Sequence, residues 1–570
     1  ATPPLYRSSA ASDVYKSQDP PSLGNQFDDD RMFRSLMTRR FGDTLAEVAP
    51  RLREMGAIAG GELYRAQLDD RLNEPVLTRW DPWGQRIDKI DLTPLWRKAA
   101  RLSAEFGLVG EAYEGRRGAL SRSLQFGLVY LFHPSSDVYT CPLAMTDGAA
   151  RTLLDSGNRP LIDRAVGHLI SRDPEQAWTS GQWMTEATGG SDVGQSRTVA
   201  TKQEGGLWKL SGRKWFTSAA TSEIALTLAR PEGNPEGGKG LALFYLEPRD
   251  SAGKLNGIRV CRLKDKLGTR KVPTAELILE GTEAHLLKRP HGGVRDIVPM
   301  LEMTRTWNSV CAVATMRRGL ALARDYARRR VAFGKLLAEQ PLHLDTLALA
   351  QAQTESCLHL CFYLVDLIGR REAEGLSELG MKELRLLTSL TKLTTGRAAV
   401  SVMSETLETF GGAGYVEDTG LPLLLRDAQV LPIWEGTTNV LSLDLLRASA
   451  ETGGFDSLLA LTQRCRAGCS DARLREATAL AEVSVGRALE WFGQRTREED
   501  YRSLEAGARR MALILGQSVG LALLSDHAQW ALTSQGDERS ALAAARLAAE
   551  GCGRLIDPPA DAIMSLALDG

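Results

Sequence analysis

The stretch "VLPIWEGTTNVLSLDLLR", residues 430–447, sets one acid in a run that otherwise reads mostly as core. Glu435 is the only carboxylate between Val430 and Leu443. An ionised carboxylate is almost never fully buried unless something pairs with it or uses it. Thr437, Thr438 and Asn439 are good N-cap types for the helix that "VLSLDLLRAS" predicts. Glu435 therefore falls in a tight turn just before a helix N-terminus, where the dipole favours its ionised form. Capping explains a Thr or Asn in such a turn, but it does not need a Glu beside Trp434. From these residues alone, capping and catalysis both stay open.

Outward from this stretch the chain reads as α, then β, then α, then a further α piece. Residues 27–179 are mostly helical, with apolar positions at three-and-four spacing in "DTLAEVAPRLREMGAIAGGELYRAQL" and "LTPLWRKAARLSAEFGLVGEAY". Residues 180–292 turn to short apolar or alternating runs with Gly, Pro and Asn punctuation, such as "GLWKLSGRKWFTSAA" and "GLALFYLEPR", and predict a compact β domain. Residues 293–452 return to long helices of bundle length. "AETGGFDS" breaks the pattern before an Ala/Leu-rich helical segment over 453–570, and residues 1–26 read as an N-terminal arm.

Composition narrows the function classes. A chain of 570 residues is too long for one core. Its formal charge of −1 gives no general reason to seek nucleic acid or an anionic membrane. No window approaches eighteen uninterrupted apolar residues, so no membrane span is expected. The eight cysteines form no CxxC and the seven histidines are scattered, so buried reduced thiols are expected rather than a metal site.

Three further segments could carry chemistry. In "QWMTEATGGSDVGQSRT", residues 182–198, Gly189 and Gly190 let backbone N–H groups approach a ligand, and Thr185 and Ser191 add hydroxyls. In "SGRKWFTSAA", residues 211–220, adjacent Trp215 and Phe216 are expected on opposite faces of a strand, one in the core and one free to stack on a planar ligand. Thr217 and Ser218 follow as donors. In "ARRRVAFGKLL", residues 327–337, clustered arginines suit an anionic ligand. Taken singly, a Gly-Ser turn, an aromatic β core and a solvated basic face explain these three as well.

Their order and spacing are more specific. "MTEATGGSDV", "GRKWFTS", "LKDKLGTR", "RRRVAFGKLL", "FGGAGY" and "IWEGTTN" together resemble the acyl-CoA dehydrogenase family over about residues 180–450. The long N-terminal segment and the extra C-terminal helices resemble its AidB-like branch. The resemblance implies an N-terminal α domain, a middle β-barrel-like domain and a C-terminal four-helix bundle, plus an added helical region. It also implies FAD between the β domain and the bundle, with part of each site contributed by a neighbouring subunit.

Carried over residue by residue, the resemblance implies that Met184 and Thr185 line the flavin edge and that Gly190 and Ser191 lie near the pyrophosphate, Ser191 also on the substrate side. Trp215 and Thr217 contact the ring, flanked by Phe216 and Ser218. Arg330, Phe333 and Gln340 reach the FAD of a partner subunit, and Gly411, Gly412, Thr437 and Asn439 complete the contacts. Glu408 stands where many members have Gln. Arg305 matches an Arg near the mouth of the acyl-CoA site, with Trp434 and Gly436 also on the substrate. Glu435 matches the base that removes the α-proton of the thioester.

The activity so implied is α,β-dehydrogenation of a medium- to long-chain acyl-CoA, with electrons passed to an electron-transfer flavoprotein. The oligomer implied is a homotetramer, in a mitochondrial or cytoplasmic setting. Acyl-CoA sequestration with little turnover, a flavin oxidase, and the nucleic-acid association of the AidB-like branch stand as alternatives. Residues 451–570 carry 13 Arg, no Lys and 17 Asp plus Glu, so 13 − 17 = −4, which argues against nucleic acid.

Overall fold

Asp30 starts the fold by capping the first helix, α1 (Arg31–Phe41), through the Phe33 N–H. The computed structural model describes residues 19–250 and 252–556, together with Met564 and Ala567. Asp30 also accepts from Tyr130 Oη at 2.7 Å and Arg317 Nε at 3.0 Å, so one carboxylate joins three helices. Residues 1–18 of the expected arm lie outside the described residues. Residues 19–26 do not stand away as an arm, because Ser22 N–H donates to Asp325 and the buried Gln26 accepts from Arg317.

The N-terminal region continues through α2 (Leu45–Gly60), α3 (Glu62–Asp69), α4 (Pro94–Glu105), α5 (Leu120–Phe132), α6 (Thr140–Ser156) and α7 (Arg159–Leu169). Between α3 and α4 an antiparallel hairpin, β1 (Val76–Trp80) and β2 (Arg86–Asp91), interrupts what the sequence reads as helix. Its turn is "DPWG", the kind of Pro-Gly punctuation that ends helices and closes hairpins. Asp88 of β2 accepts from Val260 N–H and so ties the hairpin to the β domain.

That domain holds β3 (Ser180–Trp183), β4 (Val199–Lys202), β5 (Leu207–Thr217), β6 (Ile224–Pro231), β7 (Ala242–Leu246), β8 (Ile258–Leu263) and β9 (Ala275–Leu286). The path β6-β4-β5-β9-β7 closes because β7 also pairs β6, so the sheet is a small barrel with β3 and β8 added at its sides. Along β5 the pleat turns Trp208, Leu210 and Lys214 inward. A lysine inside a barrel needs a partner, and Lys214 Nζ lies 2.8 Å from Glu186, which also accepts from Thr198. Burial pulls the Lys214 ammonium below its usual range. Burial pushes Glu186 up, but the Lys214 charge together with hydrogen bonds from Lys214, Thr198 and the Arg197 N–H outweighs it, and the carboxyl sits below the usual range.

The bundle follows as α8 (Val298–Ala327), α9 (Pro341–Ala373), α10 (Glu378–Thr409) and α11 (Thr438–Thr452). The middle of α8 is buried on all sides, as the central helix of a large core must be. A buried network fixes the N-terminal helices to the bundle: Arg122 of α5 pairs with Asp147 of α6 and Glu372 of α9, and Trp307 of α8 donates to the same Asp147. The added region is α12 (Asp456–Ala467), α13 (Ala472–Arg497), α14 (Tyr501–Gln535) and α15 (Arg539–Glu550), with α14 packed along α9, α10 and α11. By length and composition α14 is apolar enough to cross a membrane, yet 83% of its most apolar stretch is buried inside the protein, as in the core helix of a soluble bundle.

The barrel ion pair yields a stability prediction. Glu186→Ala leaves Lys214 charged and unpaired inside the barrel, which costs about 3–5 kcal/mol. Denaturant unfolding of the two proteins measures it.

Candidate active site

Glu435 sits at φ +58° and Gly436 at φ +104°, both in the left-handed region. For a residue with a side chain this conformation costs roughly 1–2 kcal/mol, so the surroundings must hold it. From α8, Arg305 Nε donates to the Glu435 carbonyl at 3.3 Å and Thr304 Oγ1 donates to Glu435 Oε2 at 2.7 Å. From α10, Lys392 Nζ donates to the Gly436 carbonyl at 2.6 Å. Trp434 Nε1 donates to Asn308 of α8 at 2.6 Å. Thr437 then caps α11 by accepting from Val440 N–H. Glu435 is half-buried, its Oε1 has no hydrogen-bond partner among the described residues, and its N–H donates to none of them.

The barrel supplies the opposite side. Trp215 N–H donates to the Thr185 carbonyl at 2.9 Å, which brings the 182–198 and 211–220 segments together as one edge. Met184, Thr185, Trp215 and Ser218 are half-buried there, and Gly190 and Ser191 are exposed on the loop beyond. The buried Cys141 of α6 bridges the two sides, within electrostatic reach of both Ser218 and Glu435, and burial pushes its thiol up to about 12. Lys266 of "LKDKLGTR" lies beside it, donating to the Thr269 and Val272 carbonyls, and burial pulls its ammonium down to about 8. All eight cysteines are free, and all except the half-buried Cys261 are buried.

Several expectations need correction. Trp215 and Phe216 do not divide between core and surface, because a register shift between Lys214 and Thr217 breaks the pleat alternation. Phe216 is 51% exposed, and the Lys264 ammonium lies 3.5 Å from the Trp215 ring centre and 4.7 Å from that of Phe216. Thr217 is fully buried and its hydroxyl donates to the Ala275 carbonyl. The Arg305 guanidinium turns into the bundle, where it meets Glu435, Ser389 and Asp444. The Asn439 Oδ1 accepts from Arg509 of α14 at 3.0 Å.

The residues matched to a partner's cofactor lie elsewhere in the chain. Arg330 follows the C-terminal end of α8, and helical rise puts it roughly 35–40 Å from Thr304. Phe333, at φ +52° and fully exposed, tips a two-strand turn (Val331–Ala332 with Lys335–Leu336) that Gln340 braces through the Ala332 carbonyl. The Tyr326 and Phe410 rings lie 5.0 Å apart at the same end, which brings Gly411 and Gly412 close to Arg330. A Cβ placed on Gly411, at φ +58°, or on Gly412 would meet no atom within 4 Å. Glu408 is exposed beside them. One chain thus carries two separate groups of the expected residues, one at each end of the bundle.

Known proteins share these segments. The C-terminal and middle domain models of acyl-CoA dehydrogenase match residues 291–450 and 181–282, and the AidB N-terminal domain model matches 18–176. Acyl-CoA dehydrogenase family member 11 of Caenorhabditis elegans is 40% identical over 529 residues, 90% of this chain and 85% of the relative. The chain belongs to the acyl-CoA dehydrogenase family. The putative acyl-CoA dehydrogenase AidB of Escherichia coli is 32% identical over 73% of this chain and 76% of its own. The crystal structure of C. elegans ACDH-11 in complex with C11-CoA superposes with a TM-score of 0.94, at 37% identity and 97% coverage of both chains.

Within this acyl-CoA dehydrogenase fold, sequence reasoning passed over Thr304, Lys392, Glu186 and Lys214. Lys214 was within reach, since it shares parity with Trp208 and Leu210 on one strand. Thr304 and Lys392 are polar residues on helices buried nearly all round, and only the tertiary structure aims them at one turn. Gly436→Ala forces a Cβ into the left-handed region and to 2.9 Å from Leu441, so thermal unfolding is expected to show a loss of about 1–2 kcal/mol.

Proposed function

We propose that this member of the family is an FAD-dependent acyl-CoA dehydrogenase that introduces a double bond between Cα and Cβ of a medium- to long-chain acyl-CoA, with Glu435 as the base. The observation that carries the reading is the Glu435 carboxylate itself. One oxygen, Oε2, is engaged by Thr304, while Oε1 and the backbone N–H are unpartnered among the described residues.

The residues present fit a flavin. A ring system needs a flat apolar face with hydrogen-bonding groups at its rim, and the half-buried Trp215 ring beside Met184, Thr185 and Ser218 offers both. The exposed backbone at Gly190 and Ser191 suits a pyrophosphate. When bound, FAD supplies the acceptor for the β-hydride. The chain's own part is positional and acid–base. The α-hydrogen of a thioester is weakly acidic, so a base must be fixed within hydrogen-bond reach and the developing negative oxygen must be met by a donor. Glu435 Oε1 takes the α-proton, Glu435 N–H donates to the thioester oxygen, and Thr304 fixes the carboxylate rotamer. Loss of the α-proton and β-hydride leaves a trans-2-enoyl thioester.

Acyl-CoA as ligand is supported by the C11-CoA complex of the similar C. elegans protein. The two separated groups of site residues support an oligomer, proposed as a homotetramer, in which the Arg330, Phe333, Gln340, Gly411 and Gly412 end of one chain completes the site of another. Electrons leave for an electron-transfer flavoprotein.

Glu435→Gln is expected to abolish flavin bleaching by acyl-CoA under anaerobic conditions while leaving flavin bound. Full activity of that variant would sink the base assignment. Thr304→Val removes the hydrogen bond that fixes the Glu435 carboxylate rotamer, so the rate of flavin bleaching is expected to fall about tenfold. Stopped-flow bleaching measures it.

A further inference from the structure

One turn of α8 meets the whole segment that leads into the base. Thr304, Arg305 and Asn308 stand at i, i+1 and i+4 and so lie on one side of the helix. Thr304 and Arg305 reach Glu435 itself. Asn308, which is buried, reaches the residues before it. Its Nδ2 donates to the Leu431 carbonyl at 3.1 Å, and its Oδ1 accepts from Trp434 Nε1 at 2.6 Å. No other described residue donates to the Leu431 carbonyl, and Trp434 Nε1 has no other acceptor among them. Within the same segment the Ile433 and Trp434 N–H groups both donate to the Val430 carbonyl, at 2.8 and 3.1 Å, which closes 430–434 into a compact turn. Glu435 follows directly, at its left-handed φ of +58°.

We propose that Asn308 is a positioning residue for the base, pinning the turn that delivers Glu435 at an early carbonyl and at its last side chain. This deepens the proposed function and rests on Glu435 being the base. A primary amide carries a donor and an acceptor on one planar group, and this site uses both: the nitrogen meets a carbonyl and the oxygen meets an indole N–H. An apolar side chain of the same size would leave the Leu431 carbonyl and the Trp434 N–H unpaired. Trp434 adjoins Glu435, so an indole free to turn lets the Glu435 backbone shift with it. Thr304 and Arg305 hold one carboxylate oxygen and the carbonyl of Glu435, but neither hydrogen-bonds to residues 431–434. Asn308 supplies the side of the frame that they leave open. Proton removal from carbon depends on where the accepting oxygen stands, and a misplacement of about 1 Å costs up to about a hundredfold in rate.

Anaerobic flavin reduction by an acyl-CoA tests this in the flavin-loaded protein, with Asn308→Leu, Trp434→Phe and the double variant beside the native chain. The dependence of rate on acyl-CoA concentration separates the limiting rate of reduction from the substrate dissociation constant. Asn308→Leu is expected to lower the limiting rate about ten- to hundredfold and to change the dissociation constant by less than about twofold. A residue that only stabilises the fold would move neither once the protein is folded and loaded. Trp434→Phe keeps an aromatic ring and removes only the N–H, so a smaller loss in limiting rate, about three- to tenfold, is expected. In the double variant the shared hydrogen bond is already gone, so its limiting rate is expected to match that of Asn308→Leu alone.

A flavin-loaded Asn308→Leu protein with the native limiting rate would overturn the proposal, as would a loss confined to the dissociation constant. Losses that multiply in the double variant would overturn it too, since the two side chains would then act independently. Where Asn308→Leu does not retain flavin, Trp434→Phe decides: a lowered limiting rate with the dissociation constant kept supports the role, and a native limiting rate overturns it. Dehydrogenation by Glu435→Gln would instead overturn the base, and with it this role for Asn308, whatever the Asn308 variant shows.

Discussion

Everything at the site depends on two successive residues being kept in a left-handed turn. Glycine takes such a φ freely, whereas Glu435 takes it at a cost, and the two carbonyls of the turn are met by Arg305 and Lys392, from two different helices of the bundle. Arg305 is itself held by Asp444, which lies on the helix the turn leads into. The turn, α8, α10 and α11 thus constrain one another in a closed loop of contacts. A carboxylate on an ordinary helix would spend its N–H inside the helix. On this turn, the N–H and one carboxylate oxygen of the same residue both lack a hydrogen-bond partner among the described residues. The strain of the turn is the condition for that pairing.

The N-terminal and added C-terminal regions make sense as supports for this frame. Asp30 and the Arg122–Asp147–Glu372 network lock the N-terminal helices to α8 and α9, so α6 can carry Cys141 to the seam between barrel and bundle. On the other side, α14 lies along α10 and α11, and Arg509 reaches the first turn of α11 through Asn439. The added region therefore buttresses the very helix that begins just beyond the glutamate. Some of its arginines meet carboxylates of its own surface, as Arg466 does with Glu482, Arg473 with Asp471 and Arg539 with Asp537.

Much of the architecture was legible because its signals are local. Helical spacing, strand punctuation and the N-cap residues after Glu435 each depend on a few neighbouring residues. The β1–β2 hairpin was missed because its alternation is short and lies between two strong helical patterns, although "DPWG" marks its turn. The opposite-face reading of Trp215 and Phe216 failed for a different reason: it assumed an unbroken pleat, and a register shift set by pairing with β9 cannot be seen from β5 alone. The site was legible as a set of segments, yet its internal wiring was not. Thr304 and Arg305 lie on α8 and Lys392 on α10, far apart in the chain, and nothing in their spacing says that three side chains converge on one turn.

The two buried lysines show how environment separates structure from chemistry. Lys214 is enclosed in the barrel with Glu186 at 2.8 Å, and that carboxylate is also satisfied by Thr198. Both charges are compensated within the barrel wall, so the pair reads as structural. Lys392 is equally buried but, among the described residues, has only a carbonyl within hydrogen-bond distance. An apolar side chain of similar length is often neutral or better for stability in such a place, so stability alone does not account for a lysine that meets the turn of the strained, half-buried Glu435.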